Sequence, residues 1–237
     1  MHHSVLAVPL AVFALLMSSC AGVPQSEAPP SAITLVAAPE PATLAVIIQN
    51  HPDARGSQER QIFFAAELQR KTHALTVALQ PQSFLPGATL TEAVAAALKK
   101  PDRTVVRAAN PRSGREEFLM DYAATGAKPG IVVDVVPRAI GYWAESLTGA
   151  YHPWVVIAFR VFDTAAGKTL ASGQIGTGPP LPGETAIVVA PDAAYAFTSL
   201  DAVVADPARA VAGLRTAIQQ VARALAERTQ QADSSRH

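Results

Sequence analysis

The 237-residue sequence predicts one α+β domain of two layers: a mixed, mainly antiparallel sheet covered by helices. Three observations predict it. Residues 131–175 hold three apolar, β-type segments separated by turn signals, which reads as an antiparallel meander. Residues 89–100 and 206–228 carry apolar positions at helical spacing, so each should lay one stripe on the sheet. Hydrophobic residues make up 49% of the chain, enough for a sizeable core.

The chain opens with an apolar run, residues 5–17. It is shorter than the about 20 residues a membrane span needs and fits the apolar region of a secretory signal. His2 and His3 stand where Lys or Arg is usual, so positive charge there comes from the amino terminus. The run ends in Leu15-Leu16-Met17-Ser18-Ser19-Cys20-Ala21-Gly22, which contains the sole cysteine. This stretch resembles a bacterial lipoprotein signal, in which small residues precede a cysteine that is acylated and becomes the first residue of the mature protein. The alternative is a plain cleaved signal with an incidental cysteine. By the resemblance, residues 1–19 are a signal peptide, and Cys20 carries the acyl chains that anchor the protein to a membrane. Two or more chains hold stably. Ala21 is not the Asp of an inner-membrane retention signal, which favours the periplasmic face of the outer membrane. Residues 20–32 include three prolines and form a flexible tether.

The domain is expected over residues 33–229. Residues 33–36 and 44–48 read as short strands, and 50–56 as a loop. Residues 57–71 fit a helix or a strand. Residues 74–79 alternate Leu75, Val77, Leu79 and read as a strand. Thr89 and Glu92 have the spacing of a capping box for the helix 89–100, which Pro101 ends. Residues 104–107 suggest a strand, and 113–122 a helix that buries Phe118, Leu119 and Tyr122. Residues 131–136 are apolar on both faces apart from Asp134, as in a central strand, and run on towards Trp143. Residues 153–163 and 169–175 complete the meander. Residues 177–183, with three prolines, form a loop. Asp206-Pro207 opens the last helix as N-cap and first residue. Val211, Leu214, Ile218, Val221 and Leu225 form its buried stripe. The polar end, 230–237, is expected to be disordered.

Nineteen basic residues balance nineteen acidic ones without a block of like charge, so nothing points to nucleic acid. One cysteine excludes an internal disulfide and zinc sites built on cysteine pairs. No nucleophile elbow, phosphate-binding glycine loop or zinc-protease motif is present, and no motif asks for a cofactor or metal. A Ser/His/Asp set could be assembled in space from Ser146, His152 and Asp163, although nothing in their spacing requires it. The protein is therefore expected not to be an enzyme. The candidate binding group is aromatic: Tyr142, Trp143, Tyr151, His152 and Trp154 flank the connection 145–150. Such side chains are enriched at interfaces. They serve equally well to cover a sheet end or meet the helices. The proline-rich loop 177–183 is a second candidate.

The carboxy-terminal half, with Asp134-Val-Val, Gly141-Tyr142, Pro153, Arg160-Val161, Tyr195-Ala-Phe197, Asp201 and Ala205-Asp206-Pro207-Ala-Arg209, resembles a largely uncharacterised family of proteobacterial envelope lipoproteins. Its element order is also similar to small domains of the curli-secretion lipoprotein and TolB amino-terminal kind, which implies fold only. The family brings no catalytic residues. Three functions follow as expectations: a non-catalytic adaptor or assembly component with an envelope protein partner, a periplasmic module for a small or lipidic ligand, or a hydrolase.

Overall fold

The computed structural model describes residues 31–112, 118–181 and 183–235. The signal, Cys20 and the tether up to residue 30 lie outside the described residues, as do 113–117.

Seven strands form one mixed sheet in the order β3-β1-β4-β5-β6-β7, with β2 also on β4. They are β1 Ser31–Val36, β2 Ala45–Ile48, β3 Arg103–Ala108, β4 Ile131–Ala144, β5 Tyr151–Asp163, β6 Lys168–Thr177 and β7 Ile187–Val189. The expected meander is β4-β5-β6, antiparallel throughout. β1 and β2 follow one another along the same edge of β4, both parallel to it, at Ile131–Val133 and at Gly141–Ala144. Pro39 and Pro41 interrupt them, and between the two pairings the chain arcs away from the edge.

One face of the sheet carries Ile33, Leu35, Val46, Val133, Val135, Ile140, Tyr142, Val155, Ile157 and Phe159, all buried. Four helices accompany it: α1 Gln58–Leu79, α2 Pro86–Leu98, α3 Leu200–Ala205 and α4 Pro207–Ser234. α4 buries the stripe Val211, Leu214, Ile218, Val221 and Leu225. Each such side chain taken from water contributes about 1.5–3 kcal/mol. The Asp206 carboxylate caps the helix by accepting from the Arg209 N–H at 3.1 Å. α4 packs tightly on the sheet at Gly213, where a Cβ would stand 3.0 Å from the Pro153 Cγ and 3.1 Å from the Tyr142 hydroxyl oxygen.

Several expectations need correction. Residues 74–79 are not a strand but the last turns of α1. Leu75 and Leu79 are spaced by four, which satisfies both the strand and the helix period. Both are buried, while Val77 between them is exposed. The helix hangs on β2 through hydroxyls: Thr76 accepts from the Leu44 N–H at 3.1 Å and Thr72 from the Val46 N–H at 3.3 Å. Thr89 does not cap α2, which starts earlier, with Pro86 in its first turn. Its free N–H groups are met from afar: Glu40 accepts from Gly87 at 2.9 Å and Ala88 at 2.7 Å. Glu92 pairs with Arg107 instead. Residues 118–122 are not helical. Leu119 and Tyr122 are buried as expected, but their N–H and O–H groups go to Asp134 rather than into a helical ladder. The last helix continues beyond residue 228, through Ser234. Thr229 donates to the Leu225 carbonyl at 2.9 Å, Ala232 is buried and Asp233 pairs with Arg103 at 2.7 Å.

Candidate functional site

Strand alternation decides where the five aromatic candidates go. In the β4-β5 register Trp143 lies opposite His152, Gly141 opposite Trp154, and Ala144 opposite Tyr151. Successive residues of a strand point to opposite faces. Tyr142 and Tyr151 therefore belong to the helix-covered face, and Trp143, His152 and Trp154 to the other.

Tyr142 is fully buried. Its hydroxyl donates to the Ala210 carbonyl of α4 at 2.9 Å, and its ring meets Phe197 edge-on at 5.8 Å. Burial pushes its pKa well above the ordinary phenol value. Tyr151 exchanges backbone hydrogen bonds with Phe197 at 2.7 and 2.9 Å. Tyr142 thus joins the sheet to α4, and Tyr151 joins it to the segment that precedes α3.

On the opposite face Trp143 and His152 lie with ring centroids 5.5 Å apart. Trp154 is 2% exposed, and its indole N–H donates to the Pro179 carbonyl at 2.9 Å. The residues after β6 lie on this group. Gly178 has φ +81°, and a Cβ there would stand 2.3 Å from the Trp143 Nε1, so only glycine fits. Leu181 joins Ala45, Ile47, Ala139 and Val156 around the tryptophans. The proline-rich loop is thus a cover held by Trp154. Trp143 Nε1 and His152 Nδ1 are buried atoms without a hydrogen-bond partner. Beside this group an open cleft of about 430 Å³ is lined by Pro39–Thr43 of the β1–β2 arc, Pro137–Ile140 and Leu181.

Asp163 lies at the far end of β5 from His152, positions 152 to 163, or about 36 Å at strand spacing. It holds the turn after β5 through the N–H groups of Ala165 and Ala166. Ser146, His152 and Asp163 do not converge.

The sequence marked Asp134 only as an exception in an apolar strand. It is completely buried and shared by the Arg112 guanidinium, the Leu119 N–H at 2.9 Å and the Tyr122 hydroxyl at 3.1 Å. Arg160 lies 4.5 Å over the Phe118 ring. Burial lowers the pKa of Arg112 and raises that of Tyr122. This polar cluster closes the half of the face that the tryptophans leave.

Sequence reasoning reached the hairpin 145–150 through its flanking aromatics but did not single out the exposed apolar residues beside it. Leu147 at the hairpin, and Ile62 and Phe63 in the first turns of α1, are 47%, 62% and 67% exposed. The next residue, Phe64, stacks on His51 at 4.1 Å, and Asn50 bonds the backbone of Glu145, which brings α1 to the hairpin. A cleft of about 400 Å³ runs between them, lined by Arg70, Lys71, Ala74, Leu147, Tyr151 and Leu200. The available signal was Ile62-Phe63-Phe64, too apolar a run for a solvated turn.

Among the described residues no helix is long and apolar enough to cross a membrane, and no group of three or more His, Cys, Asp or Glu is placed to hold a metal. The described residues define a two-layer α+β domain with a helix-covered face and a loop-covered face. No family model and no curated protein matches the chain. Solved structures do. Protein XCC0632 from Xanthomonas campestris (family-model DUF330) aligns at 11% identity over 87% of this chain and 91% of its own, with a TM-score of 0.41. The PelC dodecamer from Paraburkholderia phytofirmans aligns at 14% identity, over 84% and 88%, with a TM-score of 0.31. Lipoprotein GNA1162 from Neisseria meningitidis aligns at 16% identity, over 62% and 81%, with a TM-score of 0.21. At this level of likeness no activity or partner passes from them to this chain.

Proposed function

We propose that the protein is a non-catalytic envelope lipoprotein, anchored through acylated Cys20 at the periplasmic face of the outer membrane, that works as an adaptor by protein contact. The observation that carries the adaptor reading is the placement of Ile62, Phe63 and Leu147. They are exposed at the hairpin end of the domain, where Leu147 also lines a cleft, opposite the end of the sheet at Ser31, where the tether joins the domain. β4 alone spans about 46 Å between those ends at strand spacing. An exposed apolar group held away from an anchor is suited to a partner beyond the membrane surface.

The test is site-specific photo-cross-linking in intact cells from positions 63 and 147, with position 128 at the tether end as the comparison. A single reproducible protein adduct at 63 and 147, lost in the variant Ile62→Ser, is the expected outcome. No reproducible adduct from either position contradicts the adaptor reading.

The alternative, a small-molecule or lipid-binding module, is supported by the cleft beneath the β1–β2 arc, whose size suits a small ligand. A rise in melting temperature with an envelope lipid extract, abolished by Ala139→Trp in that cleft, would favour it over the adaptor.

A further inference from the structure

The chain has five lysines, and four of them lie at one end of the sheet. Lys99 and Lys100 form the turn from α2 into β3, with Lys100 bridged to Arg103. Lys128 precedes β4. Lys168 opens β6 opposite Asp163, in the hairpin that also closes on the start of β4. This is the end where Ser31 pairs with Arg103 and the tether joins the domain. Lys99, Lys128 and Lys168 are exposed, and Lys100 is half-buried. The fifth, Lys71, sits on α1 in an ion pair with Glu67 at 2.8 Å, by the hairpin end.

Among the described residues the cations at this end, the four lysines and Arg103, outnumber the carboxylates Asp102, Asp121, Asp163 and Asp233 by one. Asp233 is taken by Arg103. Asp163 is buried and holds its turn. Among the described residues Asp102 and Asp121 remain exposed at this end. Met120 stands 90% exposed on the segment that closes the same part of the sheet.

We infer that this end is a membrane-docking surface, in which Lys99, Lys100, Lys128 and Lys168 bind the anionic headgroups of a phospholipid leaflet. The inference rests on the anchoring of Cys20 proposed above. The eleven residues from Cys20 to Ser31 reach at most about 40 Å fully extended. A tether of that reach allows the lysine end to lie against the headgroups. A basic group beside an acyl anchor adds attraction to anionic lipid, about five-fold in affinity per lysine near the surface, and falls off within a Debye length. The docked domain points α1 and the 145–150 hairpin away from the membrane. The surface thus fixes the orientation that the adaptor reading needs.

The test is lysine acylation footprinting of the full chain, purified from membranes and reconstituted on phosphatidylethanolamine vesicles with or without phosphatidylglycerol. Reactivity at each lysine is read by mass spectrometry. Phosphatidylglycerol should protect Lys99, Lys100, Lys128 and Lys168 several-fold and leave Lys71 unchanged, and half-molar salt should remove the protection. Lysine reactivities that do not change between the two vesicles overturn the inference, as does protection that salt does not affect. The quadruple variant with glutamine at these four positions should lose the dependence of flotation on phosphatidylglycerol. Anchoring is read separately, as flotation with vesicles of phosphatidylethanolamine alone. Protein that fails to float there disproves the anchor, while protection by added anionic vesicles remains measurable.

Discussion

The two faces of the sheet are stabilised differently. The helix-covered face is aliphatic and continuous: Val133, Val135, Ile157 and Phe159 meet Leu214, Ile218 and Leu225. The opposite face is closed in two separate pieces. Asp134, Arg112 and Tyr122 bind the 118–127 segment at one end, and Trp143 and Trp154 hold the 178–181 loop at the other. The first face depends on area removed from water and tolerates changes that keep volume. The second depends on a few directed bonds, each of which fails as a unit.

That contrast predicts an order of effects under substitution. Asp134→Ala removes the carboxylate that Arg112, Leu119 and Tyr122 share, and should cost about 3–5 kcal/mol in chemical denaturation. The helix face should lose about as much only when a whole side chain goes, as in Leu214→Ala, at about 2–5 kcal/mol. Ile218→Val, which removes one methylene there, should cost about 0.5–1.5 kcal/mol. If Asp134→Ala costs no more than Ile218→Val, the two faces do not differ as described.

Gly178→Ala should cost about 1–3 kcal/mol through its strained backbone and the indole it would strike. It should also change tryptophan fluorescence, because both tryptophans of the chain meet the loop it would displace. A spectrum identical to that of the parent protein would contradict this account of the loop.

Tyr142→Phe should cost about 1 kcal/mol at neutral pH for the bond to Ala210. Its pH dependence has a defined sign. The buried phenol has a raised pKa, so below about pH 10 it is neutral in both folded and unfolded chains and adds no slope. Above that the unfolded chain releases its proton first, and folding stability falls as pH rises. Tyr142→Phe should flatten part of that alkaline fall, with Tyr122 retaining the rest. Glu40→Ala, which uncaps α2, should cost about 1 kcal/mol.

The two faces also differ in how far the sequence revealed them. The stripe Val211–Leu225 and the meander were legible because burial against a continuous surface imposes a regular period. Leu75 and Leu79 misled, because a spacing of four fits two periods at once. Glu40 at the start of α2 and Arg112 on Asp134 left no periodic trace, since such bonds join positions 47 and 22 residues apart. The aromatic group was visible as a cluster, but its division between the faces needed the β4-β5 register. The exposed Ile62 and Phe63 lie in the segment 57–71, which fits a helix or a strand by its sequence. The helix that forms turns Phe64 and Leu68 inward and leaves those two outside.

The central claim is that the domain is held to a membrane through Cys20 and exposes α1 and the 145–150 hairpin to a partner. Mass spectrometry of the mature protein purified from membranes tests it most directly. The claim predicts an amino-terminal peptide beginning at Cys20 and carrying acyl chains. An unmodified Cys20, or a mature chain that begins at any other residue, would contradict it.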